Sequence, residues 1–160
     1  MRLFACFLVT CFSLLTSPFL SAAEEDSHLR GINHLYMKVD TSGALGIKPG
    51  EQIDYSDIVE LQLRRGDIRL RPYVVNQPEG NIPVLEISIT STANSYDLLL
   101  RVRDYVTIDR NNEKTVATIF EMERGSGSVV TGSAMEDAIK SSLRDLMTDF
   151  VTVFRQQNKN

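Results

Sequence analysis

Four arginines carry most of the chemical potential of this chain: Arg69 and Arg71, then Arg101 and Arg103. Side chains of an extended strand alternate between faces, so each i, i+2 pair projects two guanidiniums to one side. Gathered on one sheet face, they would receive phosphate or sulfate groups. Register argues against a single strip. With Ala93 and Asn94 as turn residues, Glu86 falls opposite Arg101 and Ile87 opposite Leu100. Keeping apolar residues together across the next hairpin sets Arg101 opposite Glu121 or Glu123, with Arg103 near Glu121. The expectation is a self-neutralising ladder, each exposed pair worth only a few tenths of a kcal/mol. Arg69 and Arg71 have no acidic counterpart that register assigns, so an anion or partner surface drawn from Arg69, Arg71, Arg101 and Arg103 should include these two.

Other chemistry is sparse. His28 and His34 lie six residues apart, a spacing that suits neither a helical nor a tight-loop metal pair, and Asp109–Glu113 lacks the alternating carboxylates and turn glycine of a calcium loop. No metal and no cofactor is expected. There is no G-x-S-x-G elbow and no phosphate-binding glycine loop, and Glu121 and Glu123 read as solvated carboxylates. The sequence therefore points to a non-catalytic protein; an enzyme would need a pocket joining His34 to a carboxylate or serine. Arg65-Gly66-Asp67 spells an integrin-type tripeptide, but a helix ending explains it locally, with dipole-facing cations and then glycine at the left-handed C′ position.

The elements that must position these residues follow from periodicity. Gly31–Asp40 alternates as a strand, with Leu35, Met37 and Val39 on one side and His34, Tyr36 and Lys38 on the other. Thr41–Pro49 reads as a loop. Glu51–Arg65 is a helix with an apolar stripe of Tyr55, Ile58, Val59, Leu61 and Gln62, widened by Ile53 and Leu63. Asp67–Val75 is a strand that, because Pro72 has no N–H to give a ladder, lies at a sheet edge or ends near there; such an edge is open to extension by a partner's strand. Asn76–Pro83 is a loop. Three antiparallel strands within Pro83–Arg124 then share an apolar face: Leu85, Ile87 and Ile89; Leu98, Leu100, Val102, Val106 and Ile108; Val116, Thr118, Phe120 and Met122. Gly125–Gly132 is a Gly/Ser-rich loop. Ser133–Gln156 closes the chain as a helix, capped by Ser133 and Glu136 and striped by Ile139, Leu143, Leu146, Phe150 and Val153. The fold class is α+β: a two-layer sandwich of mostly antiparallel sheet with two helices on one face, in the order β-α-β-β-β-β-α.

Composition and the amino terminus set the compartment. The 160 residues are 42% hydrophobic and 24% charged, which suits one folded domain. Residues 1–23 have the form of a signal peptide: Arg2, an apolar run to Leu20, then small Ser21-Ala22-Ala23. An uncleaved anchor is the competing reading. Both cysteines, Cys6 and Cys11, lie inside this segment, so the mature chain has neither a disulfide nor a lipid-bearing cysteine. The formal charge of −4 becomes −5 once Arg2 is removed, which gives no global attraction for nucleic acid or an anionic membrane. The layout is a signal peptide at 1–23, a mobile leader at 24–30, one domain at 31–156 and a tail at 157–160, with no stable membrane span after cleavage.

The run Ile58–Ile68, the strand Pro83–Ile87 and the closing Leu146–Phe154 helix resemble uncharacterised exported bacterial proteins, in which a helix ending LR-x-G-I feeds a strand. More remotely, the layout is similar to the anticodon-binding-domain-like fold of envelope proteins such as the lipopolysaccharide-assembly lipoprotein and the amino-terminal domain of the Tol translocation protein. The resemblance implies a periplasmic binding or assembly factor with a protein or glycolipid partner. A structural subunit of an envelope complex and a small periplasmic enzyme are the alternatives. Mass spectrometry of the exported protein should find Glu24 as the first residue; a chain retaining Met1 would contradict the signal assignment.

Overall fold

A computed structural model describes residues 28–45, 49–71, 82–126 and 133–159. The expected signal peptide, the first part of the expected leader, the expected continuation of the strand beyond Arg71, most of the expected loops at Asn76–Pro83 and Gly125–Gly132, and the side chain of Ser133 lie outside the described residues. The elements run β1 (His34–Ala44), α1 (Pro49–Arg65), β2 (Arg69–Arg71), β3 (Val84–Ser91), β4 (Tyr96–Ile108), β5 (Glu113–Gly125) and α2 (Ser133–Gln157). This is the expected α+β order. The sheet is mixed, ordered β2-β1-β3-β4-β5: β1 runs parallel to both neighbours, and the two long ladders, β3–β4 and β4–β5, are antiparallel.

Both helices cover one face. Tyr55, Val59 and Leu63, spaced i, i+4, i+8, are the fully buried side chains of α1. The predicted stripe was too wide: Leu61 and Ile53 point outward and are 49% and 63% exposed. From α2, Leu143, Met147 and Phe150 are fully buried over the β-strands. The Phe150 ring lies 5.8 Å from that of Phe120 on β5 and 5.9 Å from Phe154. Polar contacts fix the helices laterally. Lys140 of α2 binds Glu136 and reaches Asp54 of α1 at 3.1 Å, with its ammonium 6.0 Å above the Tyr55 ring. The hydrogen bonds it donates to Glu136 and Asp54 hold that ammonium above the ordinary lysine range. Arg124 of β5 reaches Asp149 at 2.6 Å and Asp145 at 3.6 Å on α2.

Three local features depart from the simple periodicities. First, β1 continues to Ala44 through what was expected to be loop. An irregularity between Asp40 and Gly43 absorbs the mismatch with β3, and Ser42 N–H donates to the Asp40 carboxylate, lowering its pKa. Second, Gly66 is not the left-handed residue that ends α1. Asp67 adopts that conformation at φ 59°, Ile68 N–H donates to Leu63 O at 3.0 Å, and Asp67 N–H donates to Arg64 O at 3.0 Å. Glycine is needed at 66 for another reason: an added Cβ would sit 2.6 Å from Val151 Cγ1 of α2. Third, a bulge in β5 where Val102 gives way to Arg103 switches the faces beyond it. Phe120 and Met122 pack against the core as expected, but Val116 pairs with Tyr105 on the opposite face, where both are exposed. Thr118 shares that face, opposite Arg103.

The leader also ends sooner than expected. His28–Gly31 forms a turn in which Leu29 is fully buried in the common core. Gly66→Ala should destabilise the protein by about 1–3 kcal/mol through overpacking. In the Val151→Ala background its cost should fall by at least about 0.5 kcal/mol. Urea unfolding of the four-member cycle checks this, and additive costs would contradict the close approach.

Candidate functional site

The hairpin register is as the sequence predicts: Glu86 pairs with Arg101, Ile87 with Leu100, and Arg101 with Glu121. On the sheet face away from the helices, Lys38 binds Glu86 at 2.8 Å, Arg103 approaches the other Glu86 oxygen at 3.8 Å, and Arg101 binds Glu121 at 2.7 Å. Arg103 thus takes Glu86 rather than Glu121, because the bulge places Thr118 opposite it. Glu86 is 19% exposed and the other four side chains 42–47%, so the pairs add little stability, but they offset all but one of the three positive charges.

Arg69 and Arg71 lie elsewhere. They project from the outermost strand, and β1 and β3 separate them from β4, three strand spacings or about 14 Å. Tyr36, opposite both Arg71 and Val84 and only 2% exposed, stands between them and the ladder. The four arginines therefore do not form one site. Arg69 and Arg71 are both exposed and have no ion pair among the described residues.

Arg69 instead opens onto a cleft of about 1030 Å³ at the end of the molecule where β1 and β2 begin. Four elements converge there: the His28–Gly31 turn, the start of β1 at His34, the α1–β2 junction at Gly66–Ile68, and the last turn of α2. They contribute the cations Arg30, Arg69, Arg155 and Lys159 against one carboxylate, Asp67, a formal excess of three positive charges. Asp67 is engaged by Arg155 at 3.1 Å. Arg71 continues the cationic surface in an adjoining shallow groove, with His34, Arg64 and Arg69. Both helices end here, and the negative ends of their dipoles favour the nearby cations, which helps explain why so many are tolerated together.

Asn158 organises the cleft wall. Its side-chain amide donates to Leu29 O at 2.9 Å and Phe154 O at 3.0 Å, while its Oδ1 accepts from Gly31 N–H at 2.8 Å. Gln157 Oε1 accepts from Leu29 N–H at 2.9 Å. The first turn and the last turn are thereby locked together, which fixes the backbone around Arg30 and Arg155. Sequence reasoning missed this because the contacts join residues nearly the whole domain apart, and because 24–30 read as a mobile leader and 157–160 as a tail outside the domain. The one local signal was the polar run Arg155–Lys159 following an apolar helix.

The groups presented are guanidiniums, an ammonium and amides, a donor set suited to oxyanions. Among the described residues, no three of His, Cys, Asp and Glu gather as metal ligands, and no helix is long and apolar enough to cross a membrane.

No family model and no curated protein matches the chain. Solved structures similar to it include a hypothetical protein of Chlamydia trachomatis, 14% identical, covering 78% of this chain and 99% of that one with a TM-score of 0.45. The PelC dodecamer of Paraburkholderia phytofirmans is 13% identical, with coverages of 82% and 91% and a TM-score of 0.48. Rare lipoprotein B of Shewanella oneidensis is 13% identical, with coverages of 76% and 91% and a TM-score of 0.29. Likenesses this remote transfer neither function nor partner to the chain.

Proposed function

We propose that the chain is an exported, non-catalytic binding or assembly factor of the bacterial cell envelope. It acts in the periplasm after removal of residues 1–23 and engages an anionic group of a protein or glycolipid partner at the cationic end cleft. One observation carries this reading: Arg69 and Arg71 are free of ion pairs among the described residues and continue into a cleft holding Arg30, Arg155 and Lys159. In a chain of net charge −4, such a concentration of cations sets one end apart electrostatically. Guanidiniums bind phosphate and carboxylate bidentately, and Arg69 sits on a short edge strand that a partner can approach without displacing packed side chains.

The signal segment supports the compartment, and the donor chemistry supports the ligand class. Catalysis finds less support, because the cleft combines cations with a single carboxylate already bound to arginine. The test is flotation of the exported protein with vesicles containing a phosphorylated anionic glycolipid, against vesicles of neutral lipid. Binding should be selective for the anionic vesicles, weaken with salt, and fall about tenfold or more in Arg69→Ala/Arg71→Ala. A crosslinking pull-down from envelope extract, repeated with the double variant, covers a protein partner. Unchanged binding of the variant in both experiments would overturn the site.

A further inference from the structure

The second edge of the sheet, β5, is long and opposite in character to β2. Its outer side shows a consistent backbone pattern. Ser126 N–H donates to Tyr96 O at 2.9 Å, so by alternation Met122 and Arg124 also address β4, while Glu121 and Glu123 direct their N–H and C=O groups outward. Past the bulge the phase resets. Asn112 N–H donates to Ile108 O at 2.8 Å, closing the turn beside the Ile108–Glu113 pair, and Lys114 and Val116 then face outward. Lys114 and Glu123 are both exposed, share the sheet face away from the helices, and have no ion pair among the described residues.

From this geometry we infer that β5 pairs antiparallel with β5 of a second copy of this chain, continuing the sheet across a two-fold axis. Placing Lys114 opposite the second copy's Glu123 sets Glu113 opposite Arg124, Val116 opposite Glu121, Thr115 opposite Met122 and Ala117 opposite Phe120. Each of these pairs shares a face, and Lys114, Val116, Glu121 and Glu123 all bring outward-directed backbone groups to the junction; only at the axis, where the two bulges meet, does Thr118 face Ile119 of the second copy, which packs toward the core instead. The two-fold repeats each contact, giving four pairs of opposite charge. Sliding by two residues, the smallest shift that preserves the faces, keeps only the Lys114 type of pair in one direction, with Glu121 as its partner. In the other direction no pair of opposite charge remains.

Arg124 is already held by Asp149 and Asp145, so Lys114–Glu123 is the pair that selects the register. Charges and a bulge on an edge strand also serve to block pairing. Here, however, the charges are complementary to their own sequence read in reverse. The inference is independent of the end cleft.

Sedimentation of protein recovered from cells expressing the full chain tests it, with circular dichroism to show that each variant is folded. The native protein should reach a dimer and no larger species. Lys114→Glu and Glu123→Lys should each weaken the dimer about tenfold or more, and the double reversal should restore it to within about threefold. A monomer at all concentrations, a trimer or larger ring, or a double variant no better than the singles would overturn the proposal.

Discussion

Burial of one sheet face beneath two helices is the constraint from which the rest of the structure follows. At its centre is Phe150, fully enclosed, its ring set at a tilt between those of Phe120 of the sheet and Phe154 of its own helix. Residues 28–159 contain no cysteine, so no disulfide can brace the domain and this packing must hold the fold. Replacing a ring of this kind by alanine typically costs about 3–5 kcal/mol, a large share of the stability of a domain this size. Docking α2 along the sheet also carries its last turn to the His28–Gly31 turn, where Asn158 closes the structure. The cleft therefore depends on the core.

Charge is distributed on this frame in three ways. On the open face, Lys38, Arg101 and Arg103 share the two carboxylates of Glu86 and Glu121, which leaves a formal excess of only one positive charge among them. At the end where both helices finish, cations accumulate against Asp67 alone. Along β5, Lys114 and Glu123 remain without internal partners among the described residues. A rule based only on residue type would treat all three regions as polar surface, whereas the identity of each neighbour separates them.

What could be read from the sequence was what depends on nearby residues. The β3–β4 register followed from a turn at Ala93-Asn94 and an uninterrupted alternation, so Glu86 opposite Arg101 could be stated in advance. The α2 stripe was legible because it runs for several turns. The β5 bulge was not, because Ile119 and Phe120 are both apolar and either one continues the alternation. Asp67 took the left-handed position predicted for Gly66 because the close approach of Val151, distant in sequence, reserves glycine for the preceding residue. Arg30, Arg155 and Lys159 could not be assigned to the cleft for the same reason: the two ends of the domain supply them, and only the folded chain brings those ends together.

The account rests on the end cleft, rather than the arginine face of β4, being the site of anion recognition. The most direct measurement is amide chemical-shift mapping during titration with inorganic phosphate and then with micelles of an anionic glycolipid. The account predicts shifts concentrated at Arg30, His34, Asp67–Arg71 and Arg155–Lys159, with Arg101 and Arg103 unmoved. Shifts centred on Arg101 and Arg103, or spread evenly over the surface, would contradict it.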